Sequence, residues 1–193
     1  GGNFRKEIKQ NFLKYKGKRR EKPENYLECR EHIIRNYKPT MVKNYEADDT
    51  ASIEAFKYIK NGQLYMLITL DKDWKTIGGL FYNLLYNNLS AVSKIEGIEF
   101  FHQQLLTGDA VDNIPGIEGV GPVKANKILK NKTLNEQFEA VIKAYKKHYP
   151  EDFLSRLNVM GTMLYLIKDF EDHSKWSIEY WRNYLNGVQS KKV

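Results

Sequence analysis

Apolar side chains recur every three or four positions through much of the chain, and in a few places the period gives way to an unbroken apolar run. Phe4, Ile8, Phe12 and Tyr15 sit at helical spacing among dense charge, which predicts a short amphipathic helix within 4–22 that ends near Gly17. Pro23 opens a second helix over 23–37, with Tyr26, Cys29, Ile33 and Ile34 as its apolar stripe, and Pro39 closes it. Residues 40–43 read as a brief strand, and 46–60 as a helix stopped by Gly62. The run LYMLITL at 64–70 has the pattern of a strand covered on both sides in a parallel sheet. Strands at 80–86 and 89–92 follow, with Asn87 and Asn88 as the turn between them, and helical spacing returns over 96–107. This alternation predicts an α/β layer with parallel strands. Beyond it, glycines and a proline punctuate two short helical pieces. The remainder to about residue 185 reads as helical, with Trp176, Tyr180, Trp181 and Tyr184 expected in the packing of a last helix.

Composition narrows the class. The chain has 193 residues, 41% hydrophobic and 28% charged, as expected of a folded protein and not of a disordered one. No apolar run approaches a membrane span, and no signal peptide is present. The single cysteine, Cys29, excludes an internal disulfide and an all-cysteine zinc site and fits a reducing compartment; it is expected as a small core residue. His32, His102, His148 and His173 lack zinc spacing and read as surface or packing residues. Asp169, Glu171 and Asp172 read as a solvated turn. The chain starts at Gly1, not Met, which implies a beginning partway through something longer. The net charge is +7, and the whole excess lies in residues 1–38. Such polarity suits a polyanion near the N-terminal segment, or a solvated basic tail.

Three acidic groups carry the candidate chemistry: Glu46, Asp48 and Asp49 ahead of a helix, Asp71 and Asp73 directly after the LYMLITL strand, and Asp109 with Asp112 after a helix. Taken singly, each has an ordinary reading as a helix cap or a turn. In open α/β sheets sites form beyond the carboxyl ends of strands, so two of these groups should point to one crevice. Concentrated carboxylates are unfavourable without cations, and hard oxygen donors suit Mg²⁺ or Mn²⁺. Two such ions would serve an in-line displacement at phosphorus. Downstream, IPGIEGVGPVKANKIL places Gly116, Gly119 and Gly121 ahead of a helix bearing Lys124 and Lys127, a segment suited to gripping a phosphate through backbone N–H groups.

The ordered set EADD, LDKDWKT and GDAVDNIPGIEGVGPVKA resembles the 5′-nuclease superfamily, the flap endonucleases and 5′→3′ exonucleases, especially those of bacteriophages; the resemblance covers about residues 3–130. It implies a parallel-sheet (PIN-like) α/β core here missing its first strand, followed by a helical subdomain with a helix–three-turn–helix motif that binds duplex DNA. Residues 1–38 would be a basic arch or clamp, 39–107 the nuclease core and 108–189 the DNA-binding subdomain. The implied ligands of two Mg²⁺ or Mn²⁺ ions are Glu46, Asp48, Asp49, Asp71, Asp73, Asp109 and Asp112, with Asp49 as a partner acting at one remove, and K⁺ is implied at the hairpin. Lys16 and Arg19 match the basic residues that reach the scissile phosphate. DNA contacts are implied for Tyr15, which would stack on a base, and for Lys18, Arg20, Gly116, Gly119, Gly121, Lys124 and Lys127. Two aspartates and a strand that the family carries further upstream are not in this sequence, so the resemblance implies an upstream segment or a separate N-terminal fragment that completes the site.

The resulting expectation is a monomeric, cytoplasmic, structure-specific nuclease of a bacterial or phage-infected cell, acting in replication or repair at the 5′ end, nick or 5′ flap of DNA, with no membrane partner. The alternatives are a non-catalytic DNA-binding remnant of the family, and a ribonuclease on the same fold that removes RNA primers.

Overall fold

The computed structural model describes residues 3–17, 21–170 and 176–189. Lys18, Arg19 and Arg20, for which DNA and phosphate contacts are expected, lie outside the described residues, as do His173, Glu171 and Asp172.

Helices provide the larger core. They are α1 Tyr26–Tyr37, α2 Ala47–Lys60, α3 Lys94–Thr107, α4 Pro122–Leu129, α5 Leu134–His148, α6 Phe153–Leu164 and α7 Ile178–Gln189. Ser93 and Glu96 start α3 with a reciprocal cap: the Ser93 Oγ accepts from the Glu96 N–H at 3.2 Å, and the Glu96 carboxylate from the Ser93 N–H at 2.7 Å. Thr133 and Glu136 start α5 in the same way. The helical faces of α3, α5, α6 and α7 then bury Phe101, Leu105, Phe138, Val141, Leu157 and Leu185 in one cluster. Each such side chain contributes about 1.5–3 kcal/mol relative to exposure. Trp176 and Trp181 pack into this cluster, as their spacing predicts. Gly161 is the seat of Trp176, because a Cβ there would stand 2.1 Å from the indole ring.

The sheet is smaller and of a different kind from the parallel layer expected. Strands β1 Met66–Ile68, β2 Gly79–Asn83 and β3 Asn88–Val92 lie in the order β1-β2-β3. β1 runs parallel to β2 with Leu67 opposite Phe81, and β2 antiparallel to β3 with Phe81 opposite Ser90. The hairpin turn falls at 84–87, earlier than expected, where Asn83 Oδ1 accepts from the N–H groups of Leu85 and Tyr86. A two-residue ladder, β4 Gly108–Asp109 with β5 Ile114–Pro115, follows α3.

Other expectations are corrected. β1 is not covered on both sides among the described residues: it is an edge strand, and Leu64, Met66, Ile68 and Leu70 expose one apolar face, Leu64 to 91%. The side of the sheet facing α2 closes over a small second core of Ala55, Trp74, Ile77 and Phe81. Residues 40–43 form no strand. Helix α1 buries none of its stripe, and Cys29 is exposed. The segment 4–17 holds a single 3₁₀ turn, Phe4–Glu7, capped by Asn3 Oδ1. Its apolar residues work as a strap: Leu13 is buried, and Phe4, Ile8, Phe12 and Tyr15 pack on the helical core.

Candidate active site

Helix α2 starts at Glu46, whose N–H donates to Asp49 Oδ2 at 3.3 Å. Asp49 is fully buried, and its two oxygens accept from Arg5 Nη1 and Nη2 at 2.6 and 2.8 Å. Both oxygens are thus engaged by an internal partner, an arrangement that leaves Asp49 one remove from any ion. Asp48, one residue earlier, is only partly buried. Burial, then the neighbouring carboxylates of Asp71, Glu46 and Asp49, push its carboxyl up to about 6.

The second acidic group follows β1. The Asp71 side chain accepts from the Asp73 N–H at 2.9 Å, the local turn that starts the 3₁₀ helix Asp73–Thr76. Asp73 faces Asp71 and Asp109. Burial and these two carboxylates push it up to about 7. Asp109 is held below the usual carboxylate range: burial works against its charge, but the Val111 N–H at 2.8 Å and Lys72, 3.4 Å away, favour it. Gln104 Nε2 donates to Asp73 Oδ1 at 2.7 Å from inside α3.

Tyr15 and Lys16 join the first group to the third. Tyr15 O–H lies 2.8 Å from Glu46 Oε2 and 3.3 Å from Asp112 Oδ2, and Lys16 Nζ pairs with Glu46 and, at 3.5 Å, with Asp112. Despite burial, Lys16 and Tyr15 hold Glu46 below its ordinary value; burial and these carboxylates drive the Tyr15 phenol far above its own. Lys16 has a left-handed backbone (φ 55°), pinned by its N–H bond to the Asp112 carbonyl at 2.8 Å. The Tyr15 ring leans on the helical core, and its hydroxyl is engaged by acids, a different setting from a free stacking platform.

The structure therefore draws six of the seven expected acids into two adjoining sets, Asp48–Asp71–Asp73–Asp109 and Glu46–Asp112, and turns the seventh inward. Among the described residues no three His, Cys, Asp or Glu side chains stand close enough to hold an ion as they are. The donors nevertheless fit a hard divalent cation, because burial and neighbouring carboxylates, Asp71 above all, raise both Asp48 and Asp73, a penalty on the charged forms that a cation removes. Beside Asp109, an open cleft of about 380 Å³ is lined by Asn11, Lys14 and Asn113.

In the glycine-rich element, Gly116 has a structural role: a Cβ there would lie 2.2 Å from the Thr107 carbonyl carbon and 2.5 Å from the Gly108 nitrogen. Gly119 (φ +70°) is exposed beside the Lys124 ammonium, Gly121, the N-cap of α4, is exposed with open space before it, and Lys124 and Lys127 are exposed on α4. Arg5 and Gln104 are functional candidates that the sequence did not single out. Gln104 falls among the apolar positions of α3, and nothing local marks either as the partner of an acid.

No family model matches the chain. It is 26% identical over 164 residues to a 5′-3′ exonuclease of Aquifex aeolicus, covering 76% of this chain and 54% of that one. It is 31% identical over 157 residues to a DNA polymerase I of Borreliella burgdorferi (72% and 17%), and 27% identical over 135 residues to the flap endonuclease Xni of Shewanella baltica (63% and 52%). The chain thus spans about half the length of these relatives, or less. In fold it resembles the crystal structure of the T5 D15 protein co-crystallised with metal ions, with a TM-score of 0.63 at 18% identity, covering 97% of this chain and 81% of that one. By sequence the chain is thus similar to a 5′-3′ exonuclease and to flap endonucleases, and by fold to the T5 D15 protein.

Proposed function

We propose that this chain serves a structure-specific 5′ nuclease that hydrolyses phosphodiester bonds at the 5′ end or 5′ flap of DNA in replication or repair. The observation that carries this reading is the succession of neighbouring carboxylates Asp48, Asp71, Asp73 and Asp109, acids from three separate stretches, adjoining Glu46 and Asp112 with Lys16 and Tyr15. Asp48, Asp71, Asp73 and Asp109, with Glu46 and Asp112, would hold two Mg²⁺ or Mn²⁺ ions. When bound, such ions lower the pKa of water and neutralise the phosphodiester. Lys16 offsets Glu46 and Asp112, and it is placed to turn its ammonium to a phosphoryl oxygen entering the site. Gly119, Gly121, Lys124 and Lys127 present N–H groups and charge to a duplex backbone, with 108–189 as the DNA-binding part, K⁺ as an aid at the hairpin and 1–38 as the clamp. The free, apolar edge of β1, directly ahead of Asp71, suits an added strand that brings further acids to the site.

A second reading, a DNA-binding protein without nuclease activity, is favoured by the ion pairs that already occupy Glu46, Asp49 and Asp112. One experiment separates the two: a 5′-flap duplex incubated with the protein and Mg²⁺ or Mn²⁺. Cutting that falls at least about 100-fold in Asp71→Asn and Asp73→Asn, with duplex binding within about twofold, supports the nuclease. Unchanged cutting in both variants refutes the site. Matched RNA and DNA 5′ strands on one template test the ribonuclease alternative.

A further inference from the structure

A guanidinium without access to water is an expensive feature in a chain this size, and Arg5 is only 2% exposed. All three of its nitrogens are used. Nη1 and Nη2 fork onto the two oxygens of Asp49 at 2.6 and 2.8 Å, Nε donates to the Met163 carbonyl at 3.1 Å, and Nη2 also donates to the Tyr165 carbonyl at 2.7 Å. Nη1 stands 3.6 Å from Glu46 Oε2. Three parts of the chain meet at this one side chain. Asp49 lies in the first turn of α2, next to Asp48 and three residues after Glu46. Met163 and Tyr165 are the last turn and C-cap of α6, whose carbonyls attract a cation. Arg5 itself belongs to the strap that continues to Tyr15 and Lys16.

We propose that Arg5 is a positioning residue for the acidic site: through Asp49 it ties the start of α2, and with it Glu46 and Asp48, to the end of α6 in the helical core. The planar fork is what the geometry requires. A lysine would carry the same charge but could not span two carboxylate oxygens and two carbonyls at once. The tie accounts for a fully buried acid immediately beside one that takes part in the site. It touches no substrate and acts only through the placement of its neighbours. This inference rests on the nuclease reading for its consequence in metal binding, but not for the tie itself.

The test uses Arg5→Lys and the double variant Arg5→Met/Asp49→Leu, which removes both charges so that neither is left buried alone. Amide hydrogen exchange reads the tie. The N–H groups of Thr50 (to Glu46 O, 3.2 Å) and Tyr165 (to Gly161 O, 2.8 Å) are expected to exchange about tenfold faster in Arg5→Lys, while that of Gln137 in α5 stays within about twofold. Mn²⁺ titration of the folded double variant reads the consequence, with affinity expected to fall about tenfold or more. In Arg5→Lys, flap cleavage should lose kcat with KM within about twofold. Unchanged exchange at Thr50 and Tyr165 overturns the tie. Native Mn²⁺ affinity in the double variant overturns the positioning role. If the unaltered protein neither binds Mn²⁺ nor cuts DNA, the nuclease reading fails, and the exchange rates still decide whether Arg5 joins α2 to α6.

Discussion

His102 shows how much one side chain can set. It is fully buried between α5 and α7, where Trp181 Nε1–H donates to its Nε2 at 2.9 Å and its Nδ1 meets Gln137 Oε1 at 3.2 Å. That pairing requires the neutral ring protonated at Nδ1, and burial pushes its pKa down to about 4. Unfolded chains protonate near 6.5, so this contribution to stability is complete above that pH and is lost as pH falls towards 4, a loss of a few kcal/mol. Urea unfolding at pH 7 and pH 4.5 should therefore show a smaller pH-dependent loss in His102→Gln than in the parent. Asp48 and Asp73 act in the opposite sense. Their raised values, about 6 and about 7, mean that the ion-free fold gains stability as pH falls through that range towards 4. A cation must displace those protons, so Mn²⁺ affinity should rise between pH 5.5 and 7.5, and Asp73→Asn should flatten the rise. Calorimetric titrations at several pH values measure it.

At the scale of elements, the glycine-rich hairpin separates fold from grip. Gly116→Ala should cost about 2–4 kcal/mol, seen as a lower Tm, because its Cβ would meet backbone that has nowhere to move. Gly121→Ala meets open space and should stay within about 1 kcal/mol of the parent. If Lys124 and Lys127 contact phosphates, replacing both by alanine should reduce the slope of log affinity against log salt by about 2 while leaving Tm unchanged. Helices α2 and α3 are legible in the sequence because their apolar period is clear and, for α2, Gly62 marks the stop, whereas α5 is read only as part of an undivided helical remainder. The N-terminal strap is not legible. Phe4, Ile8, Phe12 and Tyr15 have helical spacing, yet they pack from an irregular backbone whose course follows Arg5 and the Lys16–Asp112 bond, partners some hundred residues distant. Helix α1 is legible as a helix but not in its burial: a stripe of four residues, only two of them aliphatic, does not specify which surface, if any, it meets.

For the whole molecule, the gathering of acids from three stretches was readable from their order and their neighbours. The division among them was not, since only the fold reveals that Asp49 turns inward to Arg5 while Asp48 faces Asp71. The parallel sheet was inferred from an apolar run, and a run cannot report whether a neighbour covers it. That uncovered run has a colloidal consequence. Leu64, Met66, Ile68 and Leu70 form a sticky margin whose backbone is free to template further strands, on a molecule whose excess positive charge lies in a different segment and does not guard it. Light scattering should register growing particles as concentration and salt are raised. A single gatekeeping charge, Ile68→Lys, should suppress that growth without altering the melting of the helical core.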